Sequence, residues 1–319
     1  MLEAVNLSKD YGKNLAVEDV TFTIKEGETV GLIGKNGAGK STVMRMLTGY
    51  VAPSQGHVRV CGVDMASNHA AAARHIGYMP EFPPLYADLT VGEHLVYVAS
   101  LRGIQGKPAR EEMERVCNMV GILNVRSRLV KNLSKGYRQR VGFASAMVGS
   151  PKFMLLDEPT AGLDPRQIVE MRELIASMSG AVSFMISSHI LPDIASTCSR
   201  ILILHDGHVV EDGAPDEIAR RHFDLGAVEV ETSGSSNAAR KILYDVVPDA
   251  LVVEECLPGG VTRFKISGRV SRERTSEDGL EFRARIFEAF AHGGGCKTAL
   301  VTLRQLEKSL EDIFIEITR

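Results

Sequence analysis

Cysteine is scarce and scattered in this chain. The five thiols, Cys61, Cys117, Cys198, Cys256 and Cys296, include no C-x-x-C pair. That argues against a zinc site or a disulfide framework and for reduced thiols in a cytosolic setting. An excess of positive charge is also lacking: 37 Lys and Arg stand against 40 Asp and Glu, a net charge of −3. Such a balance gives no general basic footprint for nucleic acid. Nowhere does an apolar run reach the ~18 residues a membrane-crossing helix needs, so any membrane role is expected to run through a partner. The opening Met1-Leu2-Glu3-Ala4-Val5-Asn6 has neither a basic region nor an apolar run, and no signal peptide is expected. Repeats, low-complexity tracts and long heptad runs are missing as well. What remains is an ordinary globular composition, 44% apolar and 24% charged, over 319 residues, a length that suits two domains.

Against that background, Gly34-Lys35-Asn36-Gly37-Ala38-Gly39-Lys40-Ser41 stands out. It satisfies G-x-x-x-x-G-K-[ST], a loop whose glycines let backbone N–H groups turn inward around phosphates. Lys40 would reach the β- and γ-phosphates, and Ser41 would place its hydroxyl on Mg²⁺. The context agrees. Glu28–Ile33 reads as a buried strand entering the loop, and Ser41–Leu47, with Thr42 in its first turn, as a helix leaving it. The phosphates would therefore meet a helix N-terminus. Gly34, Asn36, Gly37, Ala38, Gly39, Lys40, Ser41 and Thr42 are the candidate nucleotide contacts.

Residues 1–223 are dense in α/β signals. Strands are expected at Leu2–Leu7, Val20–Ile24, Thr29–Ile33, Gly56–Val60, Ile76–Met79, Phe153–Asp157, Ser183–Ser188 and Ile201–His205. The pattern predicts helices over Leu89–Leu123, broken at Gly103–Pro108, and over Arg138–Val148 and Gln167–Met178. A composition change near Leu225 opens a smaller region. There Ser233-Gly234-Ser235-Ser236 reads as a loop and Asn237–Val246 as a helix. Leu251–Glu255 and Val261–Ile266 read as a hairpin around Pro258-Gly259-Gly260, followed by a helix at Glu281–Ala291, a loop at Gly293-Gly294-Gly295 and a strand at Thr298–Leu303. A last helix carries Leu306, Leu310, Ile313, Phe314 and Ile317 on one face.

Phe153-Met154-Leu155-Leu156-Asp157-Glu158 runs four apolar residues into two acids. A buried strand would thus deliver carboxylates at its C-terminal end, where α/β sheets bind ligands. Asp157 would hold Mg²⁺. Glu158, one residue further on, suits a base that orients or deprotonates the attacking water.

Here the residues carry a resemblance. Leu133-Ser134-Lys135-Gly136-Tyr137-Arg138-Gln139-Arg140 is similar to the signature motif of the ATP-binding cassette (ABC) family, just upstream of its Walker B strand. Ala161-Gly162-Leu163-Asp164 resembles its D-loop, Ser187-Ser188-His189 its switch histidine, and Tyr11 its adenine-stacking aromatic. The resemblance implies an α/β P-loop NTPase fold over residues 1–223, with a RecA-like core, an antiparallel β-subdomain and a helical subdomain over about 82–150. A C-terminal α+β accessory domain would fill 224–319. It implies an ATPase whose cofactors are ATP and Mg²⁺, and two copies pairing head to tail. Ser134, Gly136 and Asp164 would then contact ATP held by the other copy, and His189 would hold the γ-phosphate. It also implies a separate transmembrane permease of the ABC-2 exporter type, with this subunit cytoplasmic and peripheral at the inner face of the membrane.

Three positions depart from the family pattern. Lys135 and Tyr137 stand where Gly and Gln are commonest, and Glu81, in Tyr78-Met79-Pro80-Glu81, replaces the usual loop glutamine. A carboxylate accepts hydrogen bonds but cannot donate them. Glu81 would ligate Mg²⁺ and alter metal dependence or slow turnover, or it would face solvent. Phe82, Leu85 and Tyr86 among paired prolines form either an apolar docking lip for the permease or a loop pinned to the core. A soluble ABC ATPase acting on a non-transport assembly is the second functional reading. Long coiled coils and a second P-loop, both found in such types, are absent here. For the C-terminal region a dimerisation or regulatory role is expected. Glu254-Glu255-Cys256 and the Arg269–Arg274 run read as solvated surface.

Overall fold

The structure, a computed structural model, describes residues 1–12, 14–222, 227–247, 251–267, 276–292, 298–306 and 309–318. The expected boundary near Phe223–Leu225, the Arg269–Arg274 run and the Gly293-Gly294-Gly295 loop lie outside the described residues. Contacts divide the chain into two units: Met1–Ile218 together with Phe314–Arg319, and Ala219–Ile313.

The elements follow in chain order. First come β1 (Leu2–Asp10), β2 (Leu15–Ile24), β3 (Thr29–Ile33), α1 (Lys40–Leu47), β4 (Gln55–Val60), β5 (Val63–Asp64), α2 (His69–Ala73) and β6 (Ile76–Met79). Next are α3 (Val91–Leu101), α4 (Lys107–Met119), α5 (Lys135–Met147), β7 (Phe153–Asp157), α6 (Pro165–Met178), β8 (Ser183–Ser188), α7 (Leu191–Thr197), β9 (Arg200–His205), β10 (His208–Gly213) and α8 (Pro215–Arg221). The last stretch holds β11 (Ala227–Gly234), α9 (Ser236–Val246), β12 (Leu251–Leu257), β13 (Val261–Ser267), α10 (Ser276–His292), β14 (Thr298–Gln305) and α11 (Leu310–Ile317).

In the first unit, six strands lie in the order β10-β9-β3-β8-β7-β6. All neighbours are parallel except the β10 edge. Every residue of β3, β7 and β8 is buried, as expected for strands covered on both faces. Register then decides where the chemistry falls. Ile33 pairs with Ser188 and Asp157 with Ser187, so β3, β7 and β8 end at one level. The loop before α1, the acids after β7 and the histidine after β8 emerge side by side at the C-terminal edge.

A second sheet, β2-β1-β4-β5, is antiparallel. Its Leu2, Ala4, Phe22, Ile24, Val58 and Val60 join Val43, Met44 and Leu47 of α1 in one core. The expected helical subdomain holds α3, α4 and α5. A capping box between Thr90 and Glu93 starts α3, and the predicted break falls between Leu101 and Lys107. Ser134 caps α5, accepting from the Tyr137 amide.

The second unit runs β11-α9-β12-β13-α10-β14, with a sheet ordered β12-β13-β11-β14 and antiparallel throughout. This is the split βαβ arrangement of ferredoxin-like folds. Val228, Val230, Phe264 and Ile266 pack with Ala239 and Leu243 of α9 and Ile286 of α10. Two expectations are corrected here. The Ser233–Ser236 loop is shorter than read, because β11 continues through Gly234 and Ser235 caps α9. Leu306 does not belong to the last helix, which begins at Leu310.

Candidate nucleotide site

The phosphate loop joins β3 to α1. Gly39 takes φ +103°, and a Cβ there would lie 2.5 Å from the Ala16 carbonyl, so only glycine fits without strain. Lys40 is buried, and its Nζ donates to the carbonyls of Gly34 at 2.6 Å and Lys35 at 3.2 Å. Burial lowers the Lys40 pKa, while the charges of Glu158 and Asp157 push it partly back up. An ammonium freed of water and facing two carboxylates is ready for an anionic ligand that would offset its desolvation. Ser41 and Thr42 follow in the first turn of α1, with the Ser41 side chain exposed.

Asp157 is buried at the end of β7, where Ser187 Oγ donates to its Oδ1 at 2.5 Å. Glu158 turns out of the strand with φ 49°, the left-handed region. Its amide donates to the Ser187 carbonyl and hydroxyl, both at 3.1 Å. That kink sends the two successive carboxylates to different places, and a strained backbone of this kind is typical of functional sites. The Glu158 carboxylate meets His189 Nδ1 at 2.9 and 3.0 Å. Lys40, Asp157, Glu158 and His189, read separately from three segments, are thus brought to one edge of the sheet.

Ser134, Gly136, Tyr137 and Asp164 line one cavity of about 400 Å³ with Arg140, Arg166 and Gln167. Asp164 caps α6, accepting from the Gln167 amide at 2.9 Å. Gly136 packs closely against Gln167: a Cβ there would lie 2.7 Å from the end of its side chain, which would have to move aside. Lys135 extends over Gly162, whose added Cβ would strike its ammonium.

Tyr11 lies exposed at the end of β1, with Lys9 Nζ 5.2 Å from its ring centroid. Glu81 is not joined to Lys40, Ser41 or Asp157 by any hydrogen bond or ion pair among the described residues. It lines a separate cavity of about 490 Å³ with Lys131, Lys135, Arg138 and Gln139. A groove of about 580 Å³ lies between the 82–86 segment and α3 and α5, lined by Phe82, Leu85, Tyr86, His94 and Tyr97. Phe82 is 78% exposed and Tyr86 53%.

Two supporting contacts escaped the sequence reading. Ser187 is fully buried beside Asp157, and a polar residue inside an apolar strand was the available signal. Asp193 of α7 bonds Thr160 and Arg172, which fixes the segment after Glu158. No local pattern announces that link.

Known proteins resemble this chain over some two thirds of its length. Residues 17–161 match the ABC transporter family. The bacitracin transport ATP-binding protein BcrA of Bacillus licheniformis is 37% identical over 224 residues, covering 70% of this chain and 72% of that protein. The lantibiotic transport ATP-binding protein SrtF of Streptococcus pyogenes is 38% identical over 211 residues, covering 66% of this chain and 89% of that protein. A solved ATP-binding subunit of an ABC transporter superposes with a TM-score of 0.63 at 34% identity, covering 69% of this chain and 92% of that one.

Proposed function

Since the chain belongs to the ABC transporter family as an ATP-binding, ATP-hydrolysing protein, we propose that it powers a separate transmembrane permease of the ABC-2 exporter type by ATP-driven head-to-tail pairing. The observation that carries this reading is the cluster of Lys40, Asp157, Glu158 and His189 at the ends of three adjacent parallel strands. Names of relatives that transport bacitracin and lantibiotics support export. Such a subunit would work at the cytoplasmic face of the membrane, and no helix among the described residues is long and apolar enough to cross it.

ATP would stack its adenine on Tyr11 and lay its phosphates along Gly34 and Asn36–Thr42. The donor set fits Mg²⁺, a hard cation that prefers oxygen. Ser187 occupies one oxygen of Asp157, the other remains for the metal, and the exposed Ser41 hydroxyl lies on the same edge. Bound there, Mg²⁺ neutralises charge on the β- and γ-phosphates. Lys40 keeps the γ-phosphate oriented. Glu158 takes a proton from the attacking water as its oxygen bonds to the γ-phosphorus and the bond to the β–γ bridging oxygen breaks. His189 holds the carboxylate toward that water and then the γ-phosphate. Ser134 and Gly136, at the N-terminus of α5, would cap the γ-phosphate bound by the other copy, with Asp164 joining the two sites. The groove behind Phe82 and Tyr86 would receive the permease.

The test is Glu158→Gln with Mg²⁺–ATP, read by light scattering and by phosphate release. A dimer that traps ATP, with hydrolysis down about 10³-fold, supports both the pairing and the base. Hydrolysis at the wild-type rate would remove Glu158 from the reaction. A variant that stays monomeric even with a co-purified permease would end the head-to-tail reading.

A further inference from the structure

Lys35 is a variable position of the phosphate loop, and nothing in the loop's own chemistry uses its side chain. Yet its Nζ donates to the main-chain carbonyl of Thr318 at 2.5 Å, across 283 residues of sequence. Thr318 is only 2% exposed. Its amide and its hydroxyl both reach the Phe314 carbonyl, at 3.1 and 2.7 Å, so the last turn is closed on itself, with the Thr318 carbonyl bonded by Lys35. Phe314–Arg319 group with the nucleotide-binding unit, although the residues just before them do not. The carbonyls ending a helix carry partial negative charge, and a lysine is a favourable partner there.

We propose that residues 314–318 brace the phosphate loop, with Lys35 as the positioning residue that connects the two. Lys35 is tied at both ends. Its side chain holds Thr318, while its carbonyl accepts from the Ala38 amide at 3.1 Å and from Lys40 Nζ at 3.2 Å. Fixing Lys35 therefore fixes the carbonyl that aims Lys40. A loop held in this shape loses less freedom when ATP arrives, and that saving appears as affinity. The brace touches neither the attacking water nor the bond that breaks, so it acts on ATP binding and not on the chemical step.

The experiment uses the full chain. Lys35→Ala is expected to raise the KM for ATP about 5-fold, the size of one net hydrogen bond, with kcat unchanged, and Lys35→Arg to restore it. Deleting Phe314–Arg319 should raise KM to the same extent, and the deletion combined with Lys35→Ala should add nothing further. If Lys35→Ala leaves KM unchanged, or lowers the melting temperature without moving KM, the brace is refuted. So is it if the two changes multiply. Should the deletion alone fail to fold, Lys35→Ala against Lys35→Arg still decides.

Discussion

Acidic residues are put to opposite uses in the two units, and β7 and β11 show why. β7 is buried on both faces, so its acids can emerge only at its C-terminal end, as Asp157 and Glu158. Among the described residues no cationic side chain pairs with Asp157; it has a serine hydroxyl, and Lys40 acts on it through its field. β11 has one covered face, so its acids alternate with core residues: Val228 and Val230 point to the helices, Glu229 and Glu231 away from them. These are neutralised across the sheet. Arg304 Nη2 lies 2.7 Å from Glu229, and Arg263 reaches Glu229 at 3.4 Å and Glu231 at 2.8 Å. Carboxylates that no arginine or lysine neutralises at a strand end are available for chemistry, whereas carboxylates paired with arginine across strands hold a sheet together.

The comparison can be broken first at Asp157. Asp157→Asn keeps the shape and the Ser187 contact but loses the charge that suits Mg²⁺. Hydrolysis should fall about 10³-fold, near 4 kcal/mol on the barrier, with no loss of melting temperature. A well-folded variant that hydrolyses ATP normally would make Asp157 a structural acid like those of β11.

The converse lesion is Glu229→Gln. Glu229 is almost fully buried, so removing its charge strips Arg304 and Arg263 of their central partner. We expect a loss of about 1.5 kcal/mol of stability, the worth of a hydrogen bond to a charged group, since Arg304 is largely solvated and Arg263 keeps Glu231. Urea unfolding measures this, and the kcat for ATP should not change. A variant as stable as wild type would show that the arginine pairs of β11 are decorative.

Legibility in the sequence follows the same division. β7 could be read because four apolar residues followed by two acids form a local signal, and because the G-x-x-x-x-G-K-S loop, the signature and the switch histidine each sit in a short window. β11 could not be read. Its alternation of Glu with Val resembles solvated surface, its end merges with Ser233-Gly234-Ser235, and the arginines that explain it lie some 32 and 75 residues away. With β11 unread, the six-element order of the second unit could not be assembled. Ser187 and the Lys35–Thr318 contact were hidden for the same reason: their meaning lies in a partner that sequence spacing does not supply.

Lys40 provides a pH test of the first unit. Its pKa is lowered chiefly by burial, so it loses its charge at a lower pH than a solvated lysine. ATP affinity should drop roughly tenfold on the alkaline side, the worth of a charge-assisted hydrogen bond, and Lys40→Arg should flatten that limb of the profile. Stability moves the other way. Between the lowered folded value and the ordinary 10.5 the unfolded chain binds the extra proton, so the fold gains stability as pH rises through that window. Affinity that stays level while pH rises would mean that the ammonium does not bind phosphate.

Glu81 belongs to neither class of acid, and that makes it the finest test. It lies two residues past the β6 edge strand yet shares its cavity with Lys131, Lys135 and Arg138, and Lys131 is already paired with Asp88 at 2.8 Å. The buried Gln139 also lines this cavity, with an amide nitrogen that has no partner among the described residues. If the loop also carries Glu81 to the metal, as the family resemblance implies, its carboxylate adds negative charge where ATP already carries it. Glu81→Gln removes that charge and supplies a donor. Turnover should rise roughly two- to fivefold and half-saturation by Mg²⁺ should shift, a change of under about 1 kcal/mol. The measurement is phosphate release across a Mg²⁺ titration. Identical curves for the two proteins would place Glu81 with the solvated acids, as a lining residue of the Lys135–Arg138 cavity that takes no part in handling the metal.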